Sequence, residues 1–225
     1  MSYSAVLSNL SISVGDLLRV QGANPETIRS RRPSIIEMAE KAIQTGSRLI
    51  QPAVWMKTLQ VQGFRHNTIL LENGQQLSGE LIAQKLAGAR KVAFAIGTLG
   101  KALEDEIHTT MANDPASGYM LDSYGSACAD ALGEWAMAQV RAAADAEGLS
   151  TSMALMPGYA AWPVDMGQPQ IFAAVQPDAS IVRLTDSAQI IPRKSFSFII
   201  GLGCAQDDSS PCELCDLSAT CPLRH

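Results

Sequence analysis

Pro157-Gly158-Tyr159-Ala160-Ala161-Trp162-Pro163 is the stretch at which the chain changes character. Its glycine can take a sharp turn or let the backbone approach a ligand closely, and the two aromatic rings offer flat faces for stacking. The same residues also suit a plain loop held in place by its own aromatic packing. On the N-terminal side, Ser117 to Glu147 reads as one long helix, with Leu121, Tyr124, Cys128, Ala131, Leu132 and Trp135 on a single apolar stripe. On the C-terminal side the pattern predicts a short helix from Gln170 to Val175. Short strands follow at Ile181 to Leu184, Gln189 to Ile191 and Ser195 to Ile200.

Further upstream, Pro33-Ser34-Ile35-Ile36-Glu37 predicts a helix start in which Ser34 caps and Glu37 reaches back. Residues 54–62 alternate, and Thr68 to Leu71 is followed by Asn73-Gly74, a pair that accepts positive φ and predicts a β-hairpin. Lys91 to Ile96 reads as a buried strand between helices at Ser78 to Leu86 and Thr98 to Met111. Residues 1–32 give no clear pattern. Helices and strands alternate without a βαβ rhythm, so the expectation is α+β, a single domain over residues 1–225 with a Cys-rich tail from 204 to 225.

Composition narrows the function. The chain has 225 residues, 47% hydrophobic and only 17% charged. Soluble domains average about 25% charged residues, so this surface is poor in charge and suited to docking. Seventeen Lys and Arg stand against 22 Asp and Glu, a net charge of −5, the wrong sign for a protein that grips nucleic acid. No apolar run reaches the roughly 18 residues of a membrane span. MSYSAVLSNL has no basic residue before Arg19, against a secretory signal; a cytoplasmic protein is expected.

The cysteines crowd into the tail: Cys204, Cys212, Cys215 and Cys221, followed by His225, with Cys128 alone in mid-chain. Thiolates are soft ligands for zinc or an iron–sulfur cluster, and a Cys-x-x-Cys pair brings two sulfurs to one metal. The spacing does not choose between these metals or a reduced or disulfide-paired tail. Asp122, Asp130 and Glu134 lie on the long helix, Asp130 and Glu134 one turn apart, as on a solvated face or at the edge of a cleft. Gly97-Thr98-Leu99-Gly100 is too short of the dinucleotide fingerprint to carry a nucleotide site. His66 and His108 lack any nucleophile or metal-motif context and read as structural.

Pro157-Gly158-Tyr159, Trp162-Pro163, and Ile190-Ile191-Pro192-Arg193-Lys194-Ser195 with Ser197 together resemble the activation (reactivation) domain of cobalamin-dependent methionine synthase. The chain is most similar to free-standing relatives that end in a Cys cluster, and the likeness spans residues 15 to 225. The resemblance implies a C-shaped unit on a twisted antiparallel sheet with flanking helices. It also implies S-adenosylmethionine bound near Pro157, Gly158, Tyr159 and Trp162, with Glu134 facing its positive groups. Such a domain docks on a corrinoid module, where one electron from a donor protein and a methyl group from S-adenosylmethionine restore methylcobalamin.

Two positions depart from that pattern. Ala154 stands where the family carries an Arg for the ligand carboxylate, and the Cys tail replaces paired tyrosines. Asp-x-His-x-x-Gly, the signature of the cobalamin module, is missing, so cobalamin can be reached only through a partner protein. The expected function is an accessory protein for reductive reactivation of a cobalamin or corrinoid methyltransferase. The alternative is an iron–sulfur or zinc module, with Cys204, Cys212, Cys215 and Cys221 as ligands, that docks on a corrinoid protein without S-adenosylmethionine.

Overall fold

The computed structural model describes residues 10–159, 161–205 and 219–220. Among the described residues two short helices come first, in the stretch that gave no pattern: α1 (Val14–Val20) and α2 (Pro25–Arg31). Ser13 and Asp16 form a reciprocal capping box, with Ser13 Oγ accepting from the Asp16 N–H at 3.2 Å and Asp16 accepting from the Ser13 N–H at 3.0 Å. Asn24 Oδ1 caps α2 by accepting from the Thr27 N–H. Helix α3 (Pro33–Gly46) begins before the predicted cap. Pro33 supplies the first helical residue with its φ already set, so Ser34 falls inside the helix and the expected Ser34–Glu37 box is not the cap.

Five strands form an antiparallel sheet in the order β3-β2-β1-β4-β7. They are β1 (Ala53–Arg65), β2 (Thr68–Leu71), β3 (Gln76–Ser78), β4 (Lys91–Thr98) and β7 (Ser195–Leu202), while β5 (Arg183–Leu184) and β6 (Ile190–Ile191) make a separate ribbon. The predicted hairpin is there: Ile69 faces Leu77, and Gly74 at φ 81° makes the turn. The remaining helices are α4 (Glu80–Lys85), α5 (Lys101–Asn113), α6 (Pro115–Ala146) and α7 (Val164–Val175). Thr98 ends β4 rather than opening α5. Helix α7 starts six residues earlier than Gln170, running through Pro169. The mixed α+β class is as expected.

The chain divides into two compact units. The first takes residues 1–53, 97–134 and 191–196; the second takes 54–96, 135–190 and 197–225. Every crossing falls inside an element (β1, β4, α6, β6 or β7), so no linker composition marks it. In the first unit Leu17, Leu18, Leu103, Tyr124, Cys128 and Leu132 are buried, and Gln21 Nε2 donates to Ser123 Oγ at 2.9 Å, tying the end of α1 to α6. In the second unit Leu59, Ile69, Ile82, Phe94, Ile171 and Ile199 form a continuous core with Trp162 among them. Each such side chain contributes roughly 1.5–3 kcal/mol by leaving water. Among the described residues, no helix is long and apolar enough to cross a membrane.

Candidate functional site

The Pro157–Pro163 loop follows a short stretch that pairs with β7. Leu155 and Ile199 exchange both backbone hydrogen bonds at 2.9 Å, and the Ser152 N–H donates to the Gly201 carbonyl, so residues 151–155 run antiparallel along that strand. Beyond Leu155 the chain turns outward. The Gly158 N–H donates to the Trp162 carbonyl at 2.9 Å and the Trp162 N–H to the Tyr159 carbonyl at 2.8 Å, closing the loop on itself. Gly158 sits at φ 119°, a backbone state that side-chain-bearing residues rarely adopt, and it is exposed. Gly158 thus makes the sharp turn that the sequence allowed for.

The two aromatics do different jobs. Tyr159 is half-buried against the second unit's core. Trp162 is fully buried, so its ring is core and offers no open stacking face. Its pyrrole edge lies between two glycines: a methyl on Gly79 would come within 3.0 Å of Trp162 Cδ1, and one on Gly167 within 2.9 Å of Trp162 Cε2. Among the described residues Trp162 Nε1, which is buried, has no hydrogen-bond partner. Helix α7 follows directly and is anchored from behind. Gln170 accepts from the Ser78 N–H at 3.0 Å, and Ser197 Oγ donates to Gln168 Oε1 at 2.8 Å. Beside the tip, Val164 and Met166 are exposed by 37% and 41%.

Ala154 is 5% exposed, with Met153 and Leu155 buried on either side. An Arg there would carry its guanidinium into apolar packing. Ala154→Arg is therefore expected to lower unfolding free energy by roughly 1–3 kcal/mol, measured by urea denaturation. A variant as stable as the parent would show that this side chain has a path to solvent.

Glu134 is exposed and is the last residue of the first unit, whereas Pro157, Gly158, Tyr159 and Trp162 belong to the second. One turn before Glu134, the Asp130 side chain reaches solvent yet is crowded by protein on its other flank. Loss of hydration raises its carboxyl above the ordinary range; Glu134 raises it further and Lys194 opposes. Ionising such a group weighs against folding, so this penalty is absent while Asp130 is protonated in both states. It develops as pH rises from the unfolded carboxyl's value through the raised folded one. Asp130→Asn should be more stable than the parent at neutral pH, with the gap closing at acid pH. Urea midpoints that diverge on acidification would contradict this. The Asp130–Glu134 spacing was visible in sequence; Lys194, the third member of the group, was singled out only as part of a strand motif.

Gly97-Thr98-Leu99-Gly100 is committed to structure. The Leu99 N–H donates to the Lys194 carbonyl at 2.9 Å and the Gly100 N–H to Thr98 Oγ1 at 3.2 Å, leaving neither to cradle a phosphate. His66 and His108 are both exposed. Of the predicted metal ligands, Cys204 is 6% exposed in the second unit's core; Cys212, Cys215 and Cys221 lie outside the described residues, as does His225. Among the described residues no three His, Cys, Asp or Glu side chains are grouped to hold a metal.

No family model matches the chain, and no curated protein sequence matches it. Among solved structures it is similar to the crystal structure of the MetH reactivation domain bound to AdoHcy, at a TM-score of 0.68 and 14% identity. The match covers 93% of this chain and 78% of that one. At such low identity the likeness is one of backbone architecture, and it extends over nearly all of the elements described above. The chain thus has the fold of the MetH reactivation domain, the α+β architecture that its loop and strand motifs led the sequence to expect.

Proposed function

We propose that this protein is an accessory factor in the reductive reactivation of a cobalamin- or corrinoid-dependent methyltransferase, with an S-adenosyl ligand seated at the Pro157–Tyr159 loop. The observation that carries the reading is the shared fold with a reactivation domain solved with AdoHcy bound. The loop suits the uncharged part of such a ligand: Gly158 exposes bare backbone, Tyr159 is only half-buried, and Val164 and Met166 extend an apolar surface beside them. When bound, S-adenosylmethionine supplies a methyl group from its sulfonium and leaves as S-adenosylhomocysteine, while a separate donor provides the electron. The residues of this chain bind and orient; they do not carry the chemistry.

The test is reactivation in trans. Cobalamin-dependent methionine synthase lacking its own reactivation domain, trapped in the cob(II)alamin state, is mixed with this protein, S-adenosylmethionine and a reductant. Recovery of turnover that needs both protein and S-adenosylmethionine supports the proposal; recovery independent of the protein overturns it.

One observation favours a second reading. Every described residue from Pro157 to Pro163 is uncharged, and Ala154 is buried, so the loop offers no cation to a ligand carboxylate. In this reading the protein docks on a corrinoid protein without S-adenosylmethionine, and the cysteine tail holds iron–sulfur or zinc. Reactivation that proceeds without S-adenosylmethionine, using brown protein that contains iron and sulfide, is its signature.

A further inference from the structure

The first unit contains a cleft of about 210 Å³ that the reading above does not use. Its apolar wall comes from Ile107 and Met111 on α5. Its rim carries two carboxylates, Glu104 and Asp122, and two cations, Arg193 and Lys194. A rim with balanced charge concentrates neither anions nor cations, which argues against inorganic phosphate and against a metal ion. It suits a ligand that carries both signs itself.

The two ion pairs on the rim are unequal. Lys194 is nearly enclosed, its side chain 14% exposed, and its Nζ sits 2.8 Å from Asp122 Oδ1 and 2.8 Å from Ser126 Oγ. Two of the three Lys194 ammonium protons are thus taken up by the protein. Arg193 is held loosely. Its Nε lies 3.9 Å from Glu104 Oε1, its side chain is 76% exposed, and Glu104 Oε2 is occupied by the Arg193 backbone N–H at 2.8 Å. The two terminal guanidinium nitrogens are left to take a carboxylate in the two-pronged geometry that Arg favours. Asp122 is 42% exposed and uses Oδ1 for Lys194, which leaves Oδ2 to accept from an ammonium. The volume lies below the ~300 Å³ at which pockets for drug-sized ligands begin, so the occupant is small.

We propose that this cleft binds a free α-amino acid with an apolar side chain. Its carboxylate meets the Arg193 guanidinium, its ammonium meets Asp122, and its side chain lies over Ile107 and Met111. Every residue that lines the cleft belongs to the first unit, whereas the Pro157–Tyr159 loop belongs to the second.

The experiment is an NMR titration of the full-length protein with L-leucine, N-acetyl-L-leucine, which lacks the ammonium, and L-leucinamide, which lacks the carboxylate. Leucine is expected to shift the signals of His108, Met111 and Arg193 saturably. Each derivative should bind roughly ten- to a hundredfold more weakly, the worth of one charge-assisted hydrogen bond. Arg193→Ala should weaken leucine by a similar factor and leave leucinamide unchanged, and Arg193→Lys should restore part of the loss. The proposal is overturned if no saturable shift appears up to the solubility of leucine. Equal binding of all three ligands, or shifts centred on Gly158 rather than the cleft, would overturn it equally.

Discussion

Trp162→Ala is expected to lower the free energy of unfolding by about 3–5 kcal/mol, the range for truncating a large buried aromatic. Trp162 is the largest fully buried side chain among the described residues and belongs to the continuous core of the second unit. Its neighbours cannot close over the gap cheaply, because Gly79 and Gly167, the residues that face its pyrrole edge, have no side chains with which to fill it. Trp162→Phe separates packing from polarity. It keeps most of the ring contact and removes the unpartnered Nε1–H, whose burial costs about 1–3 kcal/mol. The two effects oppose, so the Phe variant should stay within about 1–2 kcal/mol of the parent. Equal losses for Ala and Phe in urea denaturation would mean that the indole N–H is hydrogen-bonded in solution.

Gly167→Ala should have the next largest effect, and it connects the fold to the site. A methyl at this position would lie 2.8 Å from Pro157 Cβ, 2.9 Å from Pro157 Cγ and 2.9 Å from Trp162 Cε2. None of these atoms is the free end of a flexible chain: two belong to a proline ring at the base of the loop and one to an indole locked in the core. The methyl must push the loop away from α7, at a cost of roughly 1–3 kcal/mol. On the proposed function the variant also loses affinity for an S-adenosyl ligand, although Gly167 is buried beneath the loop and does not line its tip. A folded Gly167→Ala protein with undiminished ligand affinity would place the ligand elsewhere.

The sequence disclosed elements wherever local chemistry and packing agreed. Asn73-Gly74 predicted a hairpin, and Gly74 turns it with positive φ. The apolar stripe of the long helix is buried at Leu121, Tyr124, Cys128 and Leu132, though Ala131 and Trp135 are only half-covered. Expectations missed where two local signals competed. Pro33 outranked Ser34 as the start of α3, and the reciprocal box formed at Ser13 and Asp16 in a stretch with too short an apolar pattern to read. Pro169 hid the first half of α7, which is held by Gln168 and Gln170 through partners distant in sequence. The loop was legible as a special turn, but not the division of labour inside it. That Trp162 is core while Gly158 is surface depends on Gly79 and Gly167, which approach only in the folded unit. The Lys194–Asp122–Ser126 cluster was hidden for the same reason, since Lys194 meets the other two from 68 or more residues away in the chain.

Calorimetric titration of S-adenosylmethionine into the full-length, anaerobically purified protein tests the account most directly, with Gly158→Val measured beside it. Saturable binding in the micromolar range that Gly158→Val abolishes, while the variant remains folded, is the result expected of a working loop. Absence of heat at millimolar ligand, or binding that Gly158→Val leaves intact, would contradict the assignment of this loop as the S-adenosyl site.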